Sequence, residues 1–376
     1  MKQKREIELD VLKFLGIMLI ILAHVCPQES FIFNLRNFDV PMMVIVSGYL
    51  FSQRYAGNKN YSFLSYLRKR FLRLITPVWC FFIFFFIAVG AIEKLQGNKY
   101  PFSIREIINA FLLLDGAGWI IRVFFIVAIL SIFILKLRRL AVKDTYFLIL
   151  LSCIYFGYEI VLKFCNDLPL PVFNLAIIDF FVRKIWFLGY HIFTKKILFY
   201  AIPYGCIFGL GILLPSIKKK FIFFLSIFFG VCFSLLALYY SKNSGYFVAT
   251  QTFKYPPQFY YLSYGIFMSM LMYLLVYFCS NKLKKVFPSR NLLVNFIVFV
   301  SESSLWIYLW HTFFLKYQNF AALILPNSEK WIIIYVYIAL VSIATTYLQK
   351  KLINSLIDST RFGQKYSQML SLIFLK

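Results

Sequence analysis

Apolar residues recur in this chain in runs too long and too uniform for the strands or half-buried helices of a water-soluble core, and this limits the fold more than any motif does. Ten runs read as helical spans: Leu9 to Cys26, Val40 to Phe51, Phe71 to Ala91, Trp119 to Leu135, Thr145 to Leu162, Ile197 to Leu214, Phe221 to Tyr240, Phe259 to Cys279, Leu292 to Leu315, and Trp331 to Leu348. Of the 376 residues 61% are hydrophobic and 21% aromatic, more than one soluble core can bury. The expected fold is therefore an all-α integral membrane protein of about ten transmembrane helices. The second run has only twelve residues, or roughly 18 Å of helix, so it is tilted, extended by its flanks, or only partly crossing.

A formal net charge of +25 would also suit a nucleic-acid binder, so the placement of the charges has to decide. With the amino terminus inside, the alternating loops carry 25 Lys and Arg on that side and 13 on the other, while Lys13 and Arg122 lie within spans. This is the positive-inside pattern. It puts both termini in the cytoplasm, makes the lipid bilayer the partner that the basic residues serve, and removes nucleic acid from consideration. The basic start resembles a secretory signal, but Ala23-His24-Val25-Cys26 supplies no small-residue cleavage site and the run carries Asp10, Lys13 and His24, so the first span is retained. Most cysteines fall inside spans, where they act as small hydrophobes, and no bridge is expected between Cys26 and Cys165 near the outer surface. No repeat, low-complexity tract or linker divides the chain, which reads as one membrane domain over 1–376.

Ionisable side chains inside apolar runs are costly and mark working sites. His24 and His311 are two of the three histidines and both lie in such runs. Lys13 and His24 are about three turns plus 20° apart on the first helix, hence on one face and roughly 16 Å apart. Ser47-Gly48-Tyr49 in the second run allows a close approach of another backbone or a thin ligand. At the cytoplasmic mouth of the third run, Lys69, Arg70 and Arg73 precede Pro77. Arg70 and Arg73 stand about one turn apart, a spacing that grips a polyanionic head group. In the ninth run Ser301, Ser304, Tyr308 and His311 fall within about 80° of arc, a polar stripe on an apolar helix. Of the outer loops, Lys163–Lys196 holds Pro169, Pro171, Asp179, Arg183, Trp186 and His191, the make-up of a partly folded lid over a polar ligand. Ser241–Gln258, with Lys254-Tyr-Pro-Pro-Gln, suits either carbohydrate or a membrane-interface belt.

In their order along the chain these patterns resemble the acyltransferase 3 family of membrane-bound acyltransferases, over Glu6 to Leu348, with 349–376 as a short cytoplasmic tail. Lys13 and His24 match the family's basic residue and histidine, ten residues apart, in the first span. Ser47-Gly48-Tyr49 is similar to its Ser-Gly-aromatic signature, Arg70, Arg73 and Pro77 to its Arg-x-x-Arg before proline, and Ser304-Leu-Trp-Ile-Tyr308-Leu-Trp-His311 to its late Ser-x-x-x-Tyr-Leu-x-His. Lys13 stands where Arg is commoner and Tyr49 where Phe is common, while Trp119-Ile-Ile-Arg122 follows the family's Trp-Phe-Leu only loosely. The resemblance implies ten core spans in a bacterial plasma membrane. It also implies transfer of an acyl group, usually acetyl from acetyl-CoA, to a sugar hydroxyl of a surface glycan on the far side, with no metal.

On that footing Lys13, Lys69, Arg70 and Arg73 hold the acyl-CoA phosphates, His24 acts as general base toward the acceptor hydroxyl, and Asp39 orients or stabilises its ring. Glu302 joins the catalytic set, and Ser47, Tyr49, Ser304, Tyr308 and His311 line the substrate channel. Plainer readings stay open beside these. His24 suits a structural histidine, His311 an interface anchor, Arg70 and Arg73 topology markers, Glu302 a helix-start carboxylate, Ser47-Gly48 a tight helix contact, and Lys13 a partner for Asp10. A carrier that exports polysaccharide or lipid-linked sugar without making bonds fits the same spans.

Overall fold

The computed structural model describes residues 5–57, 62–114, 116, 118–166, 187–286, 292–318 and 331–374, and among these it is helical with no strand. The helices are α1 (Ile7–Val25), α2 (Phe31–Leu35), α3 (Asp39–Tyr55), α4 (Phe63–Leu95), α5 (Ile104–Phe111), α6 (Gly118–Leu140) and α7 (Asp144–Asn166). A wider π-type segment, Phe187–Leu198, leads into α8 (Phe199–Leu213). Then come α9 (Lys219–Ser244), α10 (Phe259–Val286), α11 (Leu292–Glu302), α12 (Ser304–Lys316), α13 (Trp331–Ser359), α14 (Arg361–Lys365) and α15 (Ser367–Ile373).

Each of the ten apolar runs falls on a helix. Among the described residues seven helices are long and apolar enough to cross a membrane, or eight if the broken pair α11 and α12 forms one span. Outside this set, α1 carries Glu8, Asp10 and Lys13, and α3 has 17 residues. Flanking residues lengthen α3 well beyond its twelve-residue apolar run. The ninth run is not the single helix expected: it breaks at Ser303 with a bend of 77°. Ser301 therefore leaves the stripe it was expected to share with Ser304, Tyr308 and His311. The lid expected over Lys163–Lys196 and the side chain of Cys165 lie largely outside the described residues.

Internal contacts divide the chain into two compact units. The first contains residues 1–43, 62–121 and 272–376. In it α1 packs along α11, α12 and α13, and α4 packs on α12 and α15. Aromatic edges make much of the second seam: Phe81 meets the rings of Trp306 at 6.5 Å and Trp310 at 5.7 Å between centroids, the edge-to-face geometry that aromatic quadrupoles favour. Local chemistry sets the ends. Ser30 accepts from the Phe33 N–H to start α2, and Ser103 and Glu106 form a reciprocal capping box that starts α5. α5 buries none of its residues, and its Ile104, Ile108 and Leu112, four apart, are all exposed. Such a stripe lies in a membrane interface.

Residues 349–376 are more than the expected tail. α13 runs on to Ser359, Thr360 caps α14 by accepting from the Gly363 N–H, and Gly363 permits the reversal because a Cβ there would sit 2.0 Å from the Leu356 carbonyl oxygen. α15 then returns to α4. The Trp306 indole N–H donates to the Ile373 carbonyl at 3.0 Å, and its ring stacks on Phe374 at 5.2 Å and 12°.

The second unit contains residues 44–61 and 122–271. Its tightest crossing joins α3 and α8: a Cβ on Gly48 would lie 2.2 Å from the Phe208 carbonyl oxygen, and one on Gly211 would lie 2.2 Å from that of Ile45. Two glycines thus let backbones touch, the arrangement that small residues provide between helices in lipid. At the far end of α7, Glu159 accepts from the Tyr155 hydroxyl at 2.5 Å and the Phe259 N–H at 2.7 Å. Below them α7, α8, α9 and α10 enclose an apolar cavity of about 140 Å³ lined by Leu151, Pro203, Cys206 and Phe229.

Candidate active site

The first unit brings His24 and His311 together. His24 occupies the last turn of α1 and is exposed, while His311 lies on α12 and is fully buried. Their ring centroids are 5.3 Å apart at 45°. His311 Nδ1 meets the Tyr308 carbonyl, and the Tyr308 ring stands 4.9 Å away. A carbonyl only accepts, so Nδ1 carries the proton and Nε2 of the neutral ring is the lone-pair nitrogen. Nε2 is buried without a hydrogen-bond partner among the described residues. The cost of such an orphaned atom marks a position that function holds in place. The accessible imidazole thus rests on a second, neutral imidazole whose orientation the α12 backbone fixes.

Asp39 is held by its own segment. Its Oδ2 accepts from Arg36 at 2.9 Å, both side chains being almost wholly buried, and its Oδ1 accepts from the Val40 N–H at 2.7 Å. Arg36 also lies over the Phe33 ring at 4.2 Å. This pair locks the connection from α1 through α2 to α3, directly after His24, and the i, i+3 spacing of Arg36 and Asp39 was the signal for it.

At the other end of α1 the charges interlock. Arg5 donates through Nε and one terminal nitrogen to Asp10 at 2.6 and 2.9 Å and through the other to Glu302 at 2.5 Å. Asp10 also accepts from the Ser301 hydroxyl at 2.6 Å, and Glu8 from the Ser280 hydroxyl at 2.6 Å. Asp10 is thereby held by Arg5 and Ser301, and Lys13 senses it only at longer range, together with Arg5, Glu302 and Arg73. Glu302 therefore groups with the cations, about 21 Å along α1 from His24. Ser304, half-buried, opens α12 at the break beside it, and buried Tyr308 follows one turn later toward His311.

On α4, Arg73 and Lys69 are exposed, and Arg70 is half-buried with its guanidinium 5.2 Å over the Tyr66 ring. Ser47 and Tyr49 belong to the second unit, Ser47 half-buried and Tyr49 buried, on either side of the Gly48 crossing. Among the described residues no group of three His, Cys, Asp or Glu is arranged to hold a metal ion.

The helical, apolar chain thus carries an exposed histidine at one end of α1 and cations at the other. Residues 6–348 match the family model of the acyltransferase domain of the acyltransferase 3 type. The chain belongs to that family and is a multi-pass membrane acyltransferase. Neither the curated proteins nor the solved structures gave a match.

Proposed function

We propose that the protein transfers an acyl group, acetyl in the simplest case, from acyl-CoA bound at the cytoplasmic side to a hydroxyl of a glycan on the outer side of the bacterial plasma membrane, with both chain termini cytoplasmic. The observation that carries this reading is the exposed His24 seated on buried His311. Lys13, Lys69, Arg70 and Arg73 hold the nucleotide phosphates, with Arg5 and Glu302 keeping that end of α1 in register. The thin pantetheine arm then runs along α1 toward its last turn. Neutral His24 accepts the proton of the acceptor hydroxyl as its oxygen attacks the thioester carbonyl. The tetrahedral intermediate collapses with cleavage of the C–S bond, and His24 returns the proton to the departing thiolate, leaving an ester and CoA. His311 orients His24, and Asp39 keeps the segment after it rigid through Arg36. Ser304 and Tyr308 border the acyl path within the first unit.

The experiment is thiol release from acetyl-CoA by the purified protein in vesicles, with and without a glycan acceptor. Release that requires the glycan and yields an acylated product supports the enzyme. Movement of glycan without thioester cleavage would replace it with the carrier.

A further inference from the structure

The outer side of the first unit contains a cavity that the histidine pair does not account for. It measures about 300 Å³ and is walled by Phe82 and Phe86 of α4, Phe102 just before α5, Glu106 and Asn109 on α5, and Thr312 on α12. Thr312 follows His311 in the chain, so the cavity borders the site described above. Phe86 and Phe102 stand edge to face at 5.1 Å and 85°, presenting both a ring face and a ring edge to whatever lies between the helices.

The occupant must satisfy two chemistries at once. The phenylalanine walls favour C–H groups, since the negative face of an aromatic ring attracts their weakly positive hydrogens. Glu106 asks for hydrogen-bond donors. Among the described residues its only partners are the N–H and hydroxyl of Ser103, both donating to Oε2, at 2.7 and 2.8 Å. These bonds, the backbone one foremost, hold its carboxyl below the usual range. The group is thus a carboxylate whose Oε1 has no donor among the described residues. A hydrocarbon chain would strip water from that carboxylate without replacing it, which is costly. A pyranose has one face of C–H groups and a rim of hydroxyl donors, and it meets both demands.

We infer that this cavity is the acceptor subsite and holds one pyranose ring of the glycan, its C–H face on Phe86 and Phe102 and its hydroxyls on Glu106 and Asn109. The inference rests on the proposed function for its direction: a sugar seated here presents its neighbouring hydroxyl toward Thr312 and the histidines. α5 fits the task, because its exposed apolar stripe holds the helix in the outer interface, where a glycan is met.

Saturation-transfer NMR on the protein in lipid nanodiscs free of glycoside detergents tests it, with methyl β-D-glucopyranoside and methyl N-acetyl-β-D-glucosaminide as probes. Glu106→Gln keeps the capping box, since glutamine caps equally well, and Phe102→Ala removes a wall at a half-buried position. Saturation of the ring C–H protons is expected in the wild type. Affinity should fall about tenfold in Glu106→Gln, the cost of a charge-assisted bond, with acyl-CoA binding and thermal stability unchanged. Phe102→Ala should lose the C–H signal. No saturation with either probe, or equal saturation in both variants, would overturn the subsite. Binding that is lost in the variants of a protein that transfers no acyl group would retain the subsite and remove the function. Transfer to glycan with an unchanged acceptor KM in both variants would retain the function and remove the subsite.

Discussion

The two ends of α1 solve the problem of polar groups in an apolar setting in opposite ways. At the end proposed as inner, Arg5, Asp10, Glu302 and Ser301 satisfy one another and Glu8 accepts from Ser280, so charge is retained by pairing and hydrogen bonds. At the end proposed as outer, two imidazoles meet, His24 exposed and His311 buried. Buried charge is tolerable when paired and hydrogen-bonded. A group that must take up and release a proton has to keep a lone pair available. In the proposed function the inner end holds and the outer end reacts.

The sharpest way to break this contrast is at His24. His24→Ala should lower turnover at least about a hundredfold, as loss of a general base does, while acyl-CoA binding stays near wild type. An alanine variant that folds and still acylates at a normal rate would make the outer end structural. Glu302→Gln, by comparison, should cost turnover less than about tenfold, because at the inner end the carboxylate holds Arg5 and touches no reacting atom. At that end Arg70→Ala and Arg73→Ala should each raise the KM for acyl-CoA about tenfold or more, through loss of charge-assisted bonds to phosphate, with kcat little changed. Kinetics that stay unaltered in the folded double variant would return these arginines to topology markers. A smaller effect is expected at Asp10. Asp10→Asn weakens the link from Arg5 to α11 and should lower stability by about 1 kcal/mol, discounted because Arg5 is half exposed. Thermal unfolding in detergent measures it, and a stability equal to wild type would show that the network is ornamental to the fold. The smallest effect concerns pH at α5. The Glu106 carboxyl is held below its unfolded value, so the capping box contributes fully above the ordinary carboxylate range and is lost as pH falls through the lowered value. Amide exchange of Ser103 to Ile107 should quicken only in acid, and exchange that is flat with pH would mean that the box does not hold the helix.

Much of this layout was legible in the residues. All ten apolar runs are helical because nothing but a helix satisfies a backbone in lipid, and Lys13 and His24 do sit on one continuous helix. The break at Ser303 was not legible, since Ser301, Ser304, Tyr308 and His311 keep a helical spacing whether or not the helix bends, and the bend is held by a partner, Asp10, far away in sequence. The meeting of His24 and His311 was hidden for the same reason. Gly48 was seen as a possible close contact but not its partner Gly211, because a crossing of two backbones leaves no local trace beyond small residues. The carboxylates were placed by spacing alone. Asp39 is matched to His24 by topology alone, and spacing also offers it Arg36, three residues before, which pairs with it in the structure. Residues 349–376 read as a short cytoplasmic tail because α14 and α15 are short and the surfaces that seat them, Trp306 among them, belong to other parts of the chain.

That seat bears on how the protein is made. The Trp306 indole N–H donates its hydrogen bond to a carbonyl 67 residues later, and the family match ends at residue 348, before that carbonyl. α12 must therefore enter the membrane while the groove between α4 and α12 still lacks its cover. That face is finished only after α13 has been inserted and α14 and α15 have folded back onto α4. Assembly of this end is a late, post-insertional event, and a chain stalled or cut after α13 would have its spans in place with Trp306 still bare.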